Sequence, residues 1–461
     1  MKQSLASSAR PLSRRRFLQS SALAAGALGA AGALPRSALA QAGQLQLWTP
    51  GGSPLMCEIH AALLATFAER QGGLDVSGLR CGGHAGGFSE SLIAAIAAHT
   101  PPDVTLLWDS PVSLGAQGVF LALDEMMAGS RIPAESWPAG LLATTQFRGQ
   151  TFGLPVAAGF YSMWYNEELF EAKGISTARA DFPKTWDEMR RLSKEFTVWS
   201  GDRLEVAGFM PPREHEAMEI WAALNGGTFY DGDNLRYTFD SDRNIEMFQF
   251  FLDWLDEEYK GDINLIDRSG NFINGYVSGI TGLGPAFREG RMAGLEEGSW
   301  LMGDFWADPE PTFTRWNMAA YPVGPSGTAT VSGTWPNWFA IPINSRNPEI
   351  AFAYLEFLSL EGVVEWARQI PDMPTNLQVE LPLPTIVVER RGEEFARDII
   401  AFLRDQAAIV TPMWNSPVQS FGLDQLDRAV EKIYTKETSI TEALAAAQTA
   451  SQAELERVLA G

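Results

Sequence analysis

The sequence predicts an α/β protein of two lobes, the first opening as a doubly wound, mostly parallel sheet. Three observations carry that expectation. The chain has 461 residues and is 46% hydrophobic, more than one ordinary core needs and enough for two. Residues 44–111 alternate short apolar runs with amphipathic ones. The third apolar run, 103–108, is almost wholly apolar after its Asp, as a strand covered on both faces is.

The elements follow in order. Residues 44–48 read as a strand, and 55–70 as a helix with Ile59, Leu63 and Phe67 on one face. Residues 74–81 read as a second strand, 89–99 as a helix with Leu92, Ile93 and Ile96 on one face, and 103–108 as the third strand. This β-α-β-α-β order places the loops after the strands, 48–54, 81–88 and 108–111, at a common crevice. Further on, Asn166 is set to cap a helix at 167–173 that Gly174 ends. Thr185-Trp186-Asp187-Glu188 spells a capping box opening a helix to 196. Residues 244–259, 347–358 and 440–459 read as further helices. No repeat and no low-complexity linker separates the lobes, so short crossings inside the globule must join them.

The N-terminus reads as an export signal and not as part of the fold. Lys2, Arg10, Arg14, Arg15, Arg16 and Arg36 precede any acid, and a weak Ala/Gly/Leu run follows at 21–34. Ala38 and Ala40 supply small residues for cleavage near Ala40. Ser13-Arg14-Arg15-Arg16-Phe17-Leu18 resembles the twin-arginine motif, with Gln19 where Lys is usual. The expectation is a cleaved signal over 1–40 and a periplasmic mature chain. No Cys sits just after that point, so no lipid anchor is expected, and no later run of about 20 apolar residues suggests a span.

Charge excludes two partner classes. The chain carries 35 Lys and Arg against 56 Asp and Glu, a net charge of −21, and loss of the basic leader makes it more acidic still. Such a surface repels nucleic acid and anionic lipid. The two cysteines, Cys57 and Cys81, flank the same sheet edge. A disulfide between them and a pair of unlinked thiols both fit an oxidising compartment. The four histidines, His60, His84, His99 and His215, are not spaced as metal ligands, and no nucleophile elbow or zinc motif occurs. No cofactor, metal or catalytic residue is expected.

An ordered series of segments then carries a family resemblance. Pro102-Asp103-Val104 precedes Leu123-Asp124-Glu125. Gly153-Leu154-Pro155 leads to Trp164-Tyr165-Asn166-Glu167-Glu168-Leu169-Phe170 and Pro183-Lys184-Thr185-Trp186-Asp187-Glu188. Phe287 and Gly290 precede Gly298-Ser299-Trp300, and Ser332-Gly333 leads through Ala340-Ile341 to the helix at 347–358. In this order the series resembles the family 1 extracellular solute-binding proteins of ABC importers, over nearly the whole mature chain. The resemblance implies a type II periplasmic-binding-protein fold, each lobe a mostly parallel sheet flanked by helices, with the ligand cleft between them. It places one lobe at 43–157 and 341–372, the other at 162–335 and 377–461, and hinge crossings near 157–162, 336–341 and 372–376. It implies a monomer that delivers a small solute, a neutral sugar, oligosaccharide or glycoside, to the importer's membrane subunits.

Candidate ligand contacts follow from position. Trp300 stands where the family often has a stacking aromatic, and Asp109 where it often sets a carboxylate on sugar hydroxyls. The crevice loops offer Thr49, Ser53 and His84, the last within Gly82-Gly83-His84-Ala85-Gly86-Gly87. The crossings offer Phe160, Tyr161, Gly333, Trp335 and Asn376, and the second lobe Trp221 and Asn225. The 15 tryptophans suit the apolar face of a sugar ring, though any one of them suits a core equally. Some relatives carry Tyr and Asp at the first crossing and Arg in the late segment; here those places hold Ala157, Gly159 and Asn376. Fewer charges argue against an anionic ligand, and smaller side chains leave room for a bulkier one. Two rivals remain on the sequence: an exported glycoside hydrolase, which needs two cleft carboxylates, and a receptor for a non-sugar solute such as a polyamine.

Overall fold

A computed structural model describes residues 43–85, 87–213, 215–270, 272, 285–303, 312–411 and 414–460. The expected signal segment lies outside these residues.

The first lobe opens with β1 (Leu47–Thr49), α1 (Pro54–Arg70), β2 (Arg80–Cys81), α2 (Phe88–Ala97) and β3 (Val104–Leu107). β1 pairs in parallel with β2 on one side and β3 on the other, the doubly wound start that the alternation predicts. The second strand is shorter than the expected 74–81: only Arg80 and Cys81 join β1, while Asp75 makes an isolated bridge to Gln44. Gly72, Gly73 and Gly78 punctuate this stretch and weaken extended pairing.

β4 (Leu154–Asn166) then runs for 13 residues, every one of them buried. Its far end caps the next helix as expected, Asn166 accepting from the amides of Glu168 at 2.9 Å and Leu169 at 3.2 Å. The predicted capping box is present at Thr185 and Glu188 and opens α3 (Trp186–Phe196). α4 (His215–Leu224) and α5 (Asp242–Glu258) follow, and then β5 (Gly294–Gly298), β6 (Trp316–Ala319) and β7 (Thr334–Ala340). α6 (Pro348–Phe357), α7 (Val363–Gln369) and β8 (Met373–Pro374) return the chain to the first lobe's side, and α8 (Ile440–Ala460) ends it.

Among the described residues these strands form one eight-stranded sheet in the order β5-β4-β7-β3-β1-β2, with β6 and β8 also on β4. Each lobe was expected to be mostly parallel. The second is not: β5 and β6 run antiparallel to β4, and among the described residues parallel pairing there shrinks to isolated bridges at Thr185–Val323, Ala207–Met292 and Ser332–Val410. The reason is β4 itself, which enters from the first lobe and becomes the strand on which the second lobe's sheet is built.

Two main cores stand on either side of the junction. One gathers Leu47, Leu63, Leu106, Val156, Phe339 and Trp366, and the other Trp164, Trp186, Trp221, Phe251 and Trp316. Burying aromatic surface on this scale is the main force holding each lobe. Among the described residues no helix is long and apolar enough to cross a membrane.

One buried group makes the first core pH-sensitive. His60, on α1, is sealed from solvent between Trp366 at 5.0 Å and Phe339 at 6.1 Å, and neither ring nitrogen has a hydrogen-bond partner. Burial pushes its pKa from 6.5 down to about 4. The folded protein holds the ring neutral while the unfolded chain protonates it, so its contribution is intact above pH 6.5 and falls away toward pH 4. In denaturant unfolding at pH 7.5 and 4.5, His60→Leu should gain about 2–3 kcal/mol on the wild type as the pH drops. An equal gap at both pH values contradicts a neutral buried imidazole.

Candidate ligand cleft

The lobes meet where three segments lie side by side. In β4, Ala158 pairs with Pro336 of β7 and with Met373 of β8, and Ala157 pairs with Asn337 and Pro374. β7 carries a bulge between Asn337 and Trp338 at this point, which bends the strand locally. Side chains here are short: Ala157, Ala158 and Gly159 follow one another. Ala157 and Gly159 are where the sequence breaks the family's pattern, and the structure gives the physical reason for Gly159.

Trp300 lies across Gly159. A Cβ on Gly159 would sit 2.1 Å from the indole Cε3, and one on Gly298 would sit 2.2 Å from its Cη2. Both glycines are therefore required by the ring. The indole meets Tyr161 edge-on at 5.2 Å and packs against both cores, half-buried. Behind the seat stands Asp372, whose Oδ1 would be 3.3 Å from that same Gly159 Cβ. Its Oδ2 accepts from Trp366 Nε1 and Asn337 Nδ2, each at 3.1 Å. Thr334 Oγ1 donates to the Gly159 carbonyl at 2.9 Å, and the Phe160 amide donates to Ser299 Oγ at 3.3 Å. Asp372 and Asn337 are not among the contacts expected from sequence; their place as polar residues within two of the expected crossings, 336–341 and 372–376, was the available signal.

The second-lobe side holds a small pocket lined by Tyr161, Glu219, Ile220, Gly333, Thr334, Trp335 and Thr411. Three expected contacts, Tyr161, Gly333 and Trp335, thus come together, and Phe160 lies next to them, buried. Gly333 leaves room for Ile220, whose Cδ1 would be 2.2 Å from a Cβ there. Asn376 is buried, its Oδ1 accepting the Gln378 amide at 2.9 Å while Nδ2 has no partner.

The first-lobe candidates divide. Asp109 is exposed just beyond β3. Ser53 caps α1, accepting the Met56 amide at 3.3 Å. Thr49 is sealed from solvent, and His84 turns its Nε2 onto the Thr49 carbonyl at 2.8 Å. Cys57 and Cys81, left open by the sequence, are joined in a disulfide.

Trp221 and Asn225 require a correction. Both are fully buried within the second lobe. Trp221 Nε1 donates to Glu296 at 2.6 Å, and its ring packs on Trp186 and Phe251. Asn225 donates to the Arg243 carbonyl and to Glu246, both at 2.9 Å, and accepts the Ser326 amide at 3.0 Å. Side chains with no exposed surface and internal partners hold the lobe together and offer a ligand nothing. Among the described residues no cluster of His, Cys, Asp and Glu could hold a metal ion.

Residues 64–365, well over half of the chain, match the sequence profile of bacterial extracellular solute-binding proteins. A binding protein of Brucella abortus is 22% identical over 217 residues, 47% of this chain and 48% of that one, so the match spans about half of the relative's length. An arabinooligosaccharide-binding protein of Halalkalibacterium halodurans is 28% identical over 105 residues, 23% of this chain and 22% of that one. A solved binding protein with mannobiose bound superposes with a TM-score of 0.72 at 17% identity, covering 88% of this chain and 99% of that one. That likeness spans both lobes and bears on the fold.

The seat of Trp300 can be tested by filling it. Gly159→Ala should lower unfolding free energy by about 1–3 kcal/mol, the usual range for forcing atoms into a packed site. In a Trp300→Ala background the same change should cost well under half as much, because the clash is gone. Equal costs in both backgrounds, read by denaturant unfolding, would show that the glycine serves something other than the indole.

Proposed function

Because this chain belongs to the bacterial extracellular solute-binding protein family, we propose that it captures a neutral sugar, oligosaccharide or glycoside between its lobes and hands it to an ABC importer. The single observation that carries the reading is the half-buried Trp300, seated at the junction of both lobes across Gly159 and Gly298. A rigid indole face between two lobes suits the apolar C–H face of a sugar ring, while neighbouring backbone and hydroxyl groups suit its hydroxyls. The arabinooligosaccharide-binding relative and the mannobiose-bound structure support the ligand class.

Three short crossings side by side at 157–162, 336–341 and 372–376 suit a hinge. Closure over the solute buries it and creates the surface on which the importer's membrane subunits would act. The basic leader with its twin arginines supports export of the folded chain to the periplasm, with cleavage near Ala40 and a monomer as the working form. The reading includes no chemistry. The buried Asp372 is committed to Trp366 and Asn337, which suits a structural carboxylate and not a hydrolytic acid or base.

Calorimetry on the mature protein tests this. Mannobiose, arabino-oligosaccharides and maltotriose should include a ligand that binds one to one and is recovered intact, whereas glucose 6-phosphate and spermidine should give no heat. Trp300→Ala should weaken the bound sugar by about tenfold or more, the equivalent of a lost aromatic platform. Binding of the phosphate or the polyamine alone, or release of shorter sugars, would overturn the carbohydrate-receptor reading.

A further inference from the structure

The disulfide and His84 form a built feature that the proposed function leaves unexplained. Two loops leave the carboxyl ends of β1 and β2, at 50–53 and 82–85, and they touch backbone to backbone. A Cβ on Gly51 would lie 3.2 Å from the Gly82 Cα. Both glycines take positive φ, 122° and 72°, which side chains resist. The Thr49 carbonyl is the common anchor, accepting the Gly82 amide at 3.2 Å and facing His84 Nε2 at 2.8 Å. A carbonyl only accepts, so Nε2 carries the hydrogen and donates. Nδ1 is then the bare nitrogen, and it is buried without a partner. Burial, with the Arg80 cation nearby, holds the imidazole below its ordinary pKa against the opposing pull of the Thr49 bond.

The ring also joins the loops to what lies on either side. It meets Phe88, the first residue of α2, edge-on at 4.9 Å, and Trp48 at 5.5 Å. Arg80 covers Trp48 at 5.0 Å and donates to the Gly83 carbonyl at 2.8 Å. The Cys57–Cys81 bridge ties the start of α1 to the end of β2. β2 is a two-residue strand at the sheet's edge and has little ladder of its own to hold the loop that follows it. Covalent bridge, histidine bond and glycine contact together replace that missing ladder.

Resting on the carbohydrate-receptor reading, we propose that His84 is a positioning residue and not a ligand contact. With the Cys57–Cys81 bridge it clasps the 50–53 and 82–85 loops into one rigid first-lobe wall against which the sugar is held. In open α/β sheets the loops at the strands' carboxyl ends line the ligand crevice. A wall ordered in advance spares binding the entropy of ordering it.

The test combines hydrogen exchange with calorimetry, using mannobiose and maltotriose as probes. His84→Ala should speed amide exchange at 49–53 and 82–88 and weaken the bound sugar by about tenfold. His84→Gln, whose Nε2 still donates to the Thr49 carbonyl, should restore both. The Cys57→Ser/Cys81→Ser double variant should resemble His84→Ala. Failure of the wild type to bind any saccharide sinks the carbohydrate reading but leaves exchange to judge the clasp. Unchanged exchange in His84→Ala overturns the clasp. Faster exchange with unchanged affinity overturns its role in binding, as does a His84→Gln variant as weak as His84→Ala.

Discussion

The ring of Trp300 on the bare Cα of Gly159 is the contact through which both halves of this molecule are related. β4 passes from one hydrophobic core to the other with all of its residues buried. At its midpoint the second and third crossings pair with it, and at Gly159 the indole of the second lobe comes down on it. Any methyl group there would lift the ring from both cores at once. Interiors are close-packed and respond to such a displacement by shifting as units, which is the property a two-lobed receptor needs.

Around that contact buried polar groups tie neighbouring segments together. Asp372 links the second crossing through Asn337 to the first core through Trp366. A buried carboxylate is tolerable where donors reach it, and here Oδ2 takes one donor from β7 and one from α7. The cleft's character then follows: small residues and tryptophan at the centre, with the exposed Asp109 out beyond β3. That distribution fits a ligand recognised by an apolar face and hydroxyls better than one recognised by charge.

Much of the fold was legible in the sequence because its local signals are strong and mutually consistent. The capping box at Thr185 and Glu188, the Asn166 cap and the apolar run ahead of Trp108 were each readable from a handful of residues. Register and direction were less readable. The antiparallel second-lobe sheet follows from β4 crossing between lobes, a tertiary event that no local period encodes. The site was partly legible. Tyr161, Gly333 and Trp335 were named and do converge, whereas Trp221 and Asn225, named as second-lobe contacts, are sealed inside that lobe. A buried Trp and a ligand-facing Trp have the same sequence pattern, and only packing separates them. His84 illustrates the same limit, since a loop histidine looks equally like a ligand contact and like a clasp until its acceptor is seen.

The central claim is that the three crossings are a hinge and that solute capture draws the lobes together. Small-angle X-ray scattering on the mature protein, with and without a saturating saccharide, measures this directly. The account predicts a smaller radius of gyration and a shorter maximum dimension in the presence of sugar, reversed when the sugar is removed. A scattering profile unchanged by a sugar that calorimetry shows to be bound would contradict it.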